Sequence, residues 1–233
     1  MINYRINRRK NIKNITLRIK GVDNIVVSAP LNVSDDYIGK MVKSKEAWIN
    51  TKLKEIQKKC KQSEAKDIID RKYIPYLGKN YAFKIYEKVD IYKCSVYFKN
   101  NEFIAYVPKH MRLENKNKEL RQMLINLIVN ENLSLVKEKV AYYSKLLGVF
   151  PKKIQIKDQK SSWGTCSSLG NIYLNYRILF APIHIMDYVI IHELCHLKHM
   201  NHSKEYWQLV GSICPHYSEY RKWLKENGHT LDI

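Results

Sequence analysis

Residues 192–202 read HELCHLKHMNH, and this short stretch holds four of the eight histidines in the chain. On an α-helix, residues four apart lie on one face about one turn apart, so His192 and His196 can direct their imidazoles to a single ion. Glu193 is rotated from His192 by about 100° and flanks such an ion without having to bind it. This spacing is typical of zinc sites built on helices. It predicts a metal centre, and a solvated or core face of histidines is the alternative.

A third protein ligand has to come from the residues that follow, because catalytic zinc sites combine three protein ligands with one open position. On a straight helix His199 would lie about 10.5 Å beyond His192, which is too far for both side chains to share an ion. A turn at Asn201 would bring His202 back toward the metal from another direction. We therefore expect His202 to be the third ligand, and Glu205 and His199 are the alternatives.

Upstream of this stretch, strand patterns and helix patterns alternate along the chain. Apolar residues alternate with polar ones in three N-terminal strands, and one helix capped by Ser34 and running to Ile56 follows them. A second group of strands is predicted within residues 81–107, followed by a long helix that ends at Gly148. A strand over 171–178 then leads to the buried apolar helix that enters the histidine stretch. This mixture predicts an α+β fold.

Three parts are expected along the chain. The polar residues 58–72 are predicted to be a linker near the end of the first part. We predict N-terminal strands plus a helix over 1–75, a second β-rich segment over 76–112, and a domain over 113–233 that carries the histidine stretch.

The net charge of +19, from 41 Lys and Arg against 22 Asp and Glu, is the largest anomaly of composition. It suits a polyanionic partner such as nucleic acid, although the abundance of Lys and Asn is also what an AT-rich genome would produce. The first twenty residues contain seven basic side chains and no acid. If these strands form a nucleic-acid surface, we expect Arg5, Arg8 and Arg9 to contribute to it.

Composition also excludes several classes of protein. The chain has 233 residues, 45% of them hydrophobic, which is enough to bury one substantial core or two small ones. No apolar segment approaches the roughly 20 residues that span a bilayer. The N-terminal MINYRINRRKNIKN is not followed by the apolar region of a secretory signal, so we expect a cytoplasmic protein. Its five cysteines form no CxxC pair and are predicted to be reduced thiols.

Four motifs together carry a family resemblance. They are SWGTCS at residues 162–167, GNIYLN at 170–175, DYVIIHELCHL at 187–197 and HSKEYW at 202–207. With them the chain resembles the YgjP-like metallopeptidase family, which is related to the SprT-like zinc proteases, over nearly its whole length. Thr165 stands where the family motif commonly has serine, and the hydroxyl is retained.

The resemblance implies a zincin-like metallopeptidase domain with an HExxH helix in the C-terminal part of the chain. It implies zinc on His192, His196 and His202, and it implies that Glu193 is the catalytic acid/base. Some SprT-like relatives cut proteins bound to DNA, which would give the positive charge a purpose.

We therefore expect a zinc-dependent peptidase acting on polypeptides, in which the metal lowers the pKa of its bound water to about 7 and Glu193 takes the proton as general base. The strand over 171–178 is expected to be an edge strand that pairs with extended substrate. Tyr206, Tyr217 and Arg177 are the nearby polar side chains for stabilising an oxyanion, and none stands out. The alternatives are a nucleic-acid-binding protein with a structural zinc, a DNA-associated protease, and an interaction protein without turnover.

Overall fold

A computed structural model describes the chain over residues 2–21, 24–62 and 67–233. Three sheets and six α-helices lie within these ranges, which confirms the α+β class predicted from the sequence. No helix in the described ranges is both long enough and apolar enough to cross a membrane.

The chain divides into two compact units, Met1–Glu64 and Ala65–Ile233. The division predicted from sequence, with boundaries after residues 75 and 112, rests on pattern alone and stays a prediction. Part of the predicted polar linker, residues 63–66, lies outside the described ranges.

The N-terminal unit is a three-stranded sheet with two helices. Its elements are β1 (Arg5–Arg9), β2 (Thr16–Gly21), β3 (Asn24–Pro30), α1 (Asp35–Ser44) and α2 (Glu46–Gln62). β3 is the central strand, parallel to β1 and antiparallel to β2. One apolar face of the sheet, with Val27 and Ala29, joins Ile38, Val42 and Ile49 of the helices in a buried core.

The start of α1 confirms the predicted cap, because the side chain of Ser34 accepts a hydrogen bond from the backbone N–H of Tyr37. The prediction of one continuous helix to Ile56 is wrong, since the helix breaks at Lys45. There the Ser44 hydroxyl donates to the carbonyl of Met41 at 2.8 Å, a local bond that competes with regular helix geometry.

The C-terminal unit begins with a four-stranded sheet and a long helix. Its elements are β4 (Tyr73–Tyr76), β5 (Lys79–Lys88), β6 (Ser95–Lys99), β7 (Glu102–Pro108) and α3 (Leu113–Leu147). The strand order is β4-β5-β7-β6, with β5 and β7 parallel. α3 ends where predicted, at Gly148, which adopts the left-handed conformation with φ 63°.

A second sheet of this unit lies next to the functional residues. Its strands are β8 (Lys153–Lys157), β9 (Gly164–Cys166) and β10 (Asn171–Asn175), in the order β8-β10-β9. The predicted strand over 171–178 is therefore too long, because Asn175 caps a 3-10 turn over Tyr176–Phe180 by accepting from the N–H of Arg177. The prediction that this strand is an edge strand is also wrong: β10 is central, and β9 lies at an edge.

Three shorter helices complete the unit. They are α4 (Ile183–Cys195), α5 (Lys204–Ile213) and α6 (Tyr217–Asn227). α4 is the buried helix predicted before the histidine stretch, and it contacts α3, α5, α6 and the β9–β10 pair. α4 is therefore packed among α3, α5, α6, β9 and β10.

Candidate active site

The HExxH residues lie at the C-terminal end of α4. His192 and Glu193 belong to its last turn, and His196 is the C-cap residue, whose φ of −65° and ψ of −18° continue the helical geometry. His192 and His196 therefore keep the i, i+4 relation that places them on one face. Their ring centroids are 5.0 Å apart.

His202 reaches the same place from the segment between α4 and α5. Ser203 caps α5 by accepting a hydrogen bond from the N–H of Tyr206, which fixes the chain direction next to His202. Nε2 of His202 lies 3.2 Å from Nε2 of His192. One ligand atom from each of His192, His196 and His202 lies within 4.8 Å of the other two.

These three side chains fit a zinc ion. A tetrahedral ion with Zn–N bonds of about 2.0–2.1 Å holds its ligand nitrogens about 3.4 Å apart, close to the His192–His202 separation. Nδ1 of His196 lies 3.0 Å from the backbone carbonyl of His199. When Nδ1 carries the proton and donates it to that carbonyl, the Nε2 lone pair is left for a metal.

Two of the three histidines, His192 and His202, have lowered pKa values that favour the neutral form that binds metals. Burial, followed by the proximity of His196 and His202, lowers the pKa of His192 to about 3. Burial also lowers the pKa of His202. Because a protonated imidazole has no free lone pair, these shifts reduce the competition between protons and a metal at neutral pH.

Aromatic side chains of α5 hold the imidazoles in place. The Tyr206 ring stacks on His196 with centroids 4.6 Å apart, and its hydroxyl donates to the backbone carbonyl of His192 at 3.1 Å. The Trp207 ring stacks on His202 with centroids 5.5 Å apart. Tyr206 is fully buried and its hydroxyl is engaged, so its role here is structural.

Glu193 is buried next to this cluster. Its exposed fraction is 3%, and its Oε2 atom has no hydrogen-bond partner among the described residues. Burial raises the pKa of Glu193 to about 8. A Cβ atom on Gly164 of β9 would lie 2.6 Å from both Cγ and Oε1 of Glu193. The glycine of the SWGTCS motif is thus needed for the carboxyl group to occupy this position.

The two alternative third ligands lie outside the cluster. His199 contributes its backbone carbonyl to His196, and its own imidazole is not among the converging groups. Glu205 is exposed in the first turn of α5, where a hydrogen bond with Ser203 lowers the pKa of its carboxyl group. Among the described residues, the only group of three or more such side chains placed to share a metal consists of His192, His196 and His202.

Comparison with protein families agrees with this geometry. A family model described as "YgjP-like, metallopeptidase domain" matches residues 13–227. The chain belongs to the YgjP-like metallopeptidase family. The resemblance seen in its motifs is confirmed, and membership supports a peptidase that holds a metal and acts on polypeptides.

The chain was also compared with curated proteins and with solved structures. No curated protein matches the YgjP-like chain. Among solved structures it is similar to the metallopeptidase zymogen of Pyrococcus abyssi abylysin, with 28% sequence identity, a TM-score of 0.36, and coverage of 39% of this chain and 93% of that chain.

The other two side chains considered for stabilising an oxyanion, Arg177 and Tyr217, have partners away from the histidines in this YgjP-like chain. Arg177 pairs with Asp158 at 2.5 Å and with Asp232 at 3.3 Å. Tyr217 stacks on Trp207 with centroids 5.2 Å apart. In the described part of the chain, neither side chain contacts any of the three histidines.

Sequence reasoning missed two cations beside the site. Arg221 and Lys225 of α6 line a cavity of about 340 Å³ together with His192 and Glu193. Their four-residue spacing places them on one helix face, but sequence carries no signal that this face meets α4.

Removing one ligand should remove most of the metal, whereas removing a neighbouring histidine should not. We expect His202→Ala and His196→Ala to lose most of the zinc bound per chain. His199→Ala should keep it, because that substitution preserves the backbone carbonyl that His196 uses. Elemental analysis of the purified variants is the measurement. Zinc at the parent level in His202→Ala would exclude His202 as a ligand.

Proposed function

We propose that the chain is a zinc-dependent peptidase of the HExxH type, in which His192, His196 and His202 hold the ion and Glu193 is the general base. The observation that carries the proposal is a buried carboxyl group next to three converging imidazoles. Three histidine ligands leave one position of a tetrahedral ion for water or substrate, as catalytic zinc sites require. A structural site would instead use four protein ligands.

A bound zinc ion would supply Lewis acidity, lowering the pKa of water to about 7 and polarising the peptide carbonyl. Glu193 accepts the proton of the attacking water and then delivers it to the leaving amine. Burial raises the pKa of Glu193 to about 8, and a group with a pKa near the working pH is suited to both steps. Gly164 keeps the space that this carboxyl group occupies.

The edge strand β9 is the place where we propose that substrate pairs. β9 bonds to β10 on one side, so its other edge can accept an extended peptide as an added strand. Gly164 places this strand against the Glu193 side chain, which would bring a paired peptide close to the proposed base. This assignment replaces the strand over 171–178 that the sequence predicted for the role.

The reduced thiols and the cytoplasmic location are part of the same proposal. The cysteines at positions 94, 166, 195 and 214 are free thiols. A reducing compartment is consistent with them, and the location itself stays a prediction.

Glu193→Gln should separate metal binding from chemistry. The amide keeps the size of the side chain but cannot accept the proton, so we expect parent zinc content and a fall in turnover of at least ~10²-fold. Turnover of an unfolded protein substrate, with zinc measured on the same sample, gives both values. If turnover survives, Glu193 is not the base, and if zinc is lost as well, Glu193 is a ligand.

Gly164→Ala should disturb Glu193 without touching the histidines. The added Cβ would lie within 2.6 Å of Glu193, so we expect turnover to fall by roughly tenfold or more with zinc retained. Gly211→Ala in α5 is the matched control, because its nearest contact is an ordinary 3.4 Å to Tyr217. Equal activity of the two variants would show that β9 does not position Glu193.

Nucleic-acid binding is a second candidate function, and the N-terminal sheet favours it. Strand register places Arg5 and Arg18 on either side of Val26, so both lie on the same face, and alternation adds Arg9. All three arginines are exposed. None of the three strands contains Asp or Glu. This arginine face can contact phosphates. A DNA-associated protease, as some SprT-like relatives are, would require such a surface.

The prediction that Arg8 belongs to this surface is wrong. Arg8 points to the other face of the sheet, where its guanidinium donates to the carbonyl of Val33 at 2.6 Å and pairs with Asp35. Its role is to hold the segment between β3 and α1.

Replacing Arg5, Arg9 and Arg18 by glutamine should weaken nucleic-acid binding and flatten its dependence on salt. We expect the log–log slope to lose roughly 0.7–0.9 for each phosphate contact removed. The matched control replaces Lys40 and Lys43 of α1 and Lys45 directly after it, which removes the same charge from exposed positions of the same unit. Salt titrations by fluorescence anisotropy are the measurement. Equal slopes in both triple variants, or parent binding no tighter than ~10⁻⁴ M at ~0.15 M salt, would exclude a specific arginine face.

A further inference from the structure

We infer that Arg221 and Lys225 form a carboxylate-binding subsite beside the proposed metal centre, so that the peptidase selects substrates with an acidic group near the cleaved bond. The inference rests on the proposed function, and it names the chemistry of the preferred substrate.

The two cations belong to the same cavity as the catalytic groups. Arg221 and Lys225 are one turn apart on α6 and line the cavity of about 340 Å³ that also contains His192 and Glu193. A substrate that occupies this cavity therefore lies near both cations as well as near the proposed metal centre. Both side chains are exposed, so they are accessible to a ligand.

Neither cation is neutralised by the described part of the chain. No carboxylate in the described ranges forms an ion pair with Arg221 or Lys225, whereas Lys222 on the same helix lies 4.0 Å from Glu226. Among the described residues that line the cavity, Glu193 is the only acid, and it is buried. The cavity thus presents two positive charges for which an anionic ligand group is the natural partner.

Arg221 contacts an aromatic ring and forms no ion pair with an acid in the described ranges. Its guanidinium carbon lies 5.2 Å from the centre of the Trp207 ring, and Trp207 stacks in turn on His202. A cation–π contact of this kind leaves guanidinium N–H groups able to donate to a ligand. The contact places the cation next to a ring that packs on a proposed metal ligand.

The rest of the lining is suited to the stem of a short acidic side chain. Trp163, Tyr188, Val189 and Leu224 contribute apolar surface to the cavity. A pocket of apolar walls with a few convergent charged groups selects a ligand by the position of its charge. A carboxylate can come from an Asp or Glu side chain or from a free C-terminus, and both sources present the same chemistry. A lysine side chain would meet two like charges.

The test measures peptide binding, so that it does not depend on turnover. The protein is the zinc-loaded Glu193→Gln chain, and the probes are labelled, amidated peptides of one sequence with Glu, Gln or Lys at the central position. A fourth probe is the Gln peptide with a free C-terminal carboxylate. We expect a carboxylate probe to bind roughly tenfold more tightly than the amidated Gln peptide, and the Lys peptide to bind most weakly. The Glu probe and the free-carboxylate probe distinguish the two sources.

Charge-matched variants separate this subsite from the general positive charge of the protein. In the same background, Arg221→Glu and Lys225→Glu should abolish the preference. Lys222→Glu changes the net charge equally but lies outside the cavity lining and should keep the preference. Lys225→Glu leaves the contact between Arg221 and Trp207 intact, and zinc content confirms that each variant is folded.

Two results would overturn the inference. One is equal binding of both carboxylate probes and the amidated Gln peptide, and the other is an equal loss of preference in the Lys222→Glu control. Failure of the proposed function appears separately, as absence of peptide cleavage by the parent chain with Glu193 intact.

Discussion

Burial of helix α4 is the constraint on which the rest of the C-terminal unit depends. Ile185, Ile190 and Leu194 are completely buried, and burying one such side chain contributes about 1.5–3 kcal/mol. Because this apolar surface is covered by α3, α5, α6 and the β9–β10 pair, the helix cannot rotate without exposing it. The orientation of α4 about its own axis therefore determines where the side chains of His192 and Glu193 point.

The elements around α4 then determine the shape of the site. α5 supplies two aromatic rings that stack on the imidazoles, and β9 supplies a glycine at a place where a side chain would collide with Glu193. α6 supplies the wall with Arg221 and Lys225. These four elements come from a stretch of fewer than seventy residues, which explains why the family motifs cluster there.

Features set by local geometry were predictable from the sequence, and features set by tertiary pairing were not. The i, i+4 histidines, the Ser34 cap and the Gly148 stop depend on residues close in the chain, and the structure has the cap and the stop where they were expected. The order β8-β10-β9 depends on pairing between separated segments, so the central position of β10 could not be seen. Strand alternation alone separates Arg8 from Arg5 and Arg9, but knowing which face is open requires the helices that cover the other one. The ligand set and the role of Glu193 stay predictions that the geometry supports.

Burying the polar atoms of the site removes them from water, and this costs free energy that the rest of the fold offsets. Glu193 Oε2 and His192 Nδ1 are buried without a hydrogen-bond partner in the described ranges, and each such atom costs about 1–3 kcal/mol. Two or three buried aliphatic side chains of α4 contribute about as much in the opposite direction. A leucine at position 193 would remove part of the cost, so stability alone does not account for a carboxyl group there. The proposed role of Glu193 as a general base accounts for it, because the same burial that costs stability raises the pKa of the carboxyl group toward the range in which it can both accept and release a proton.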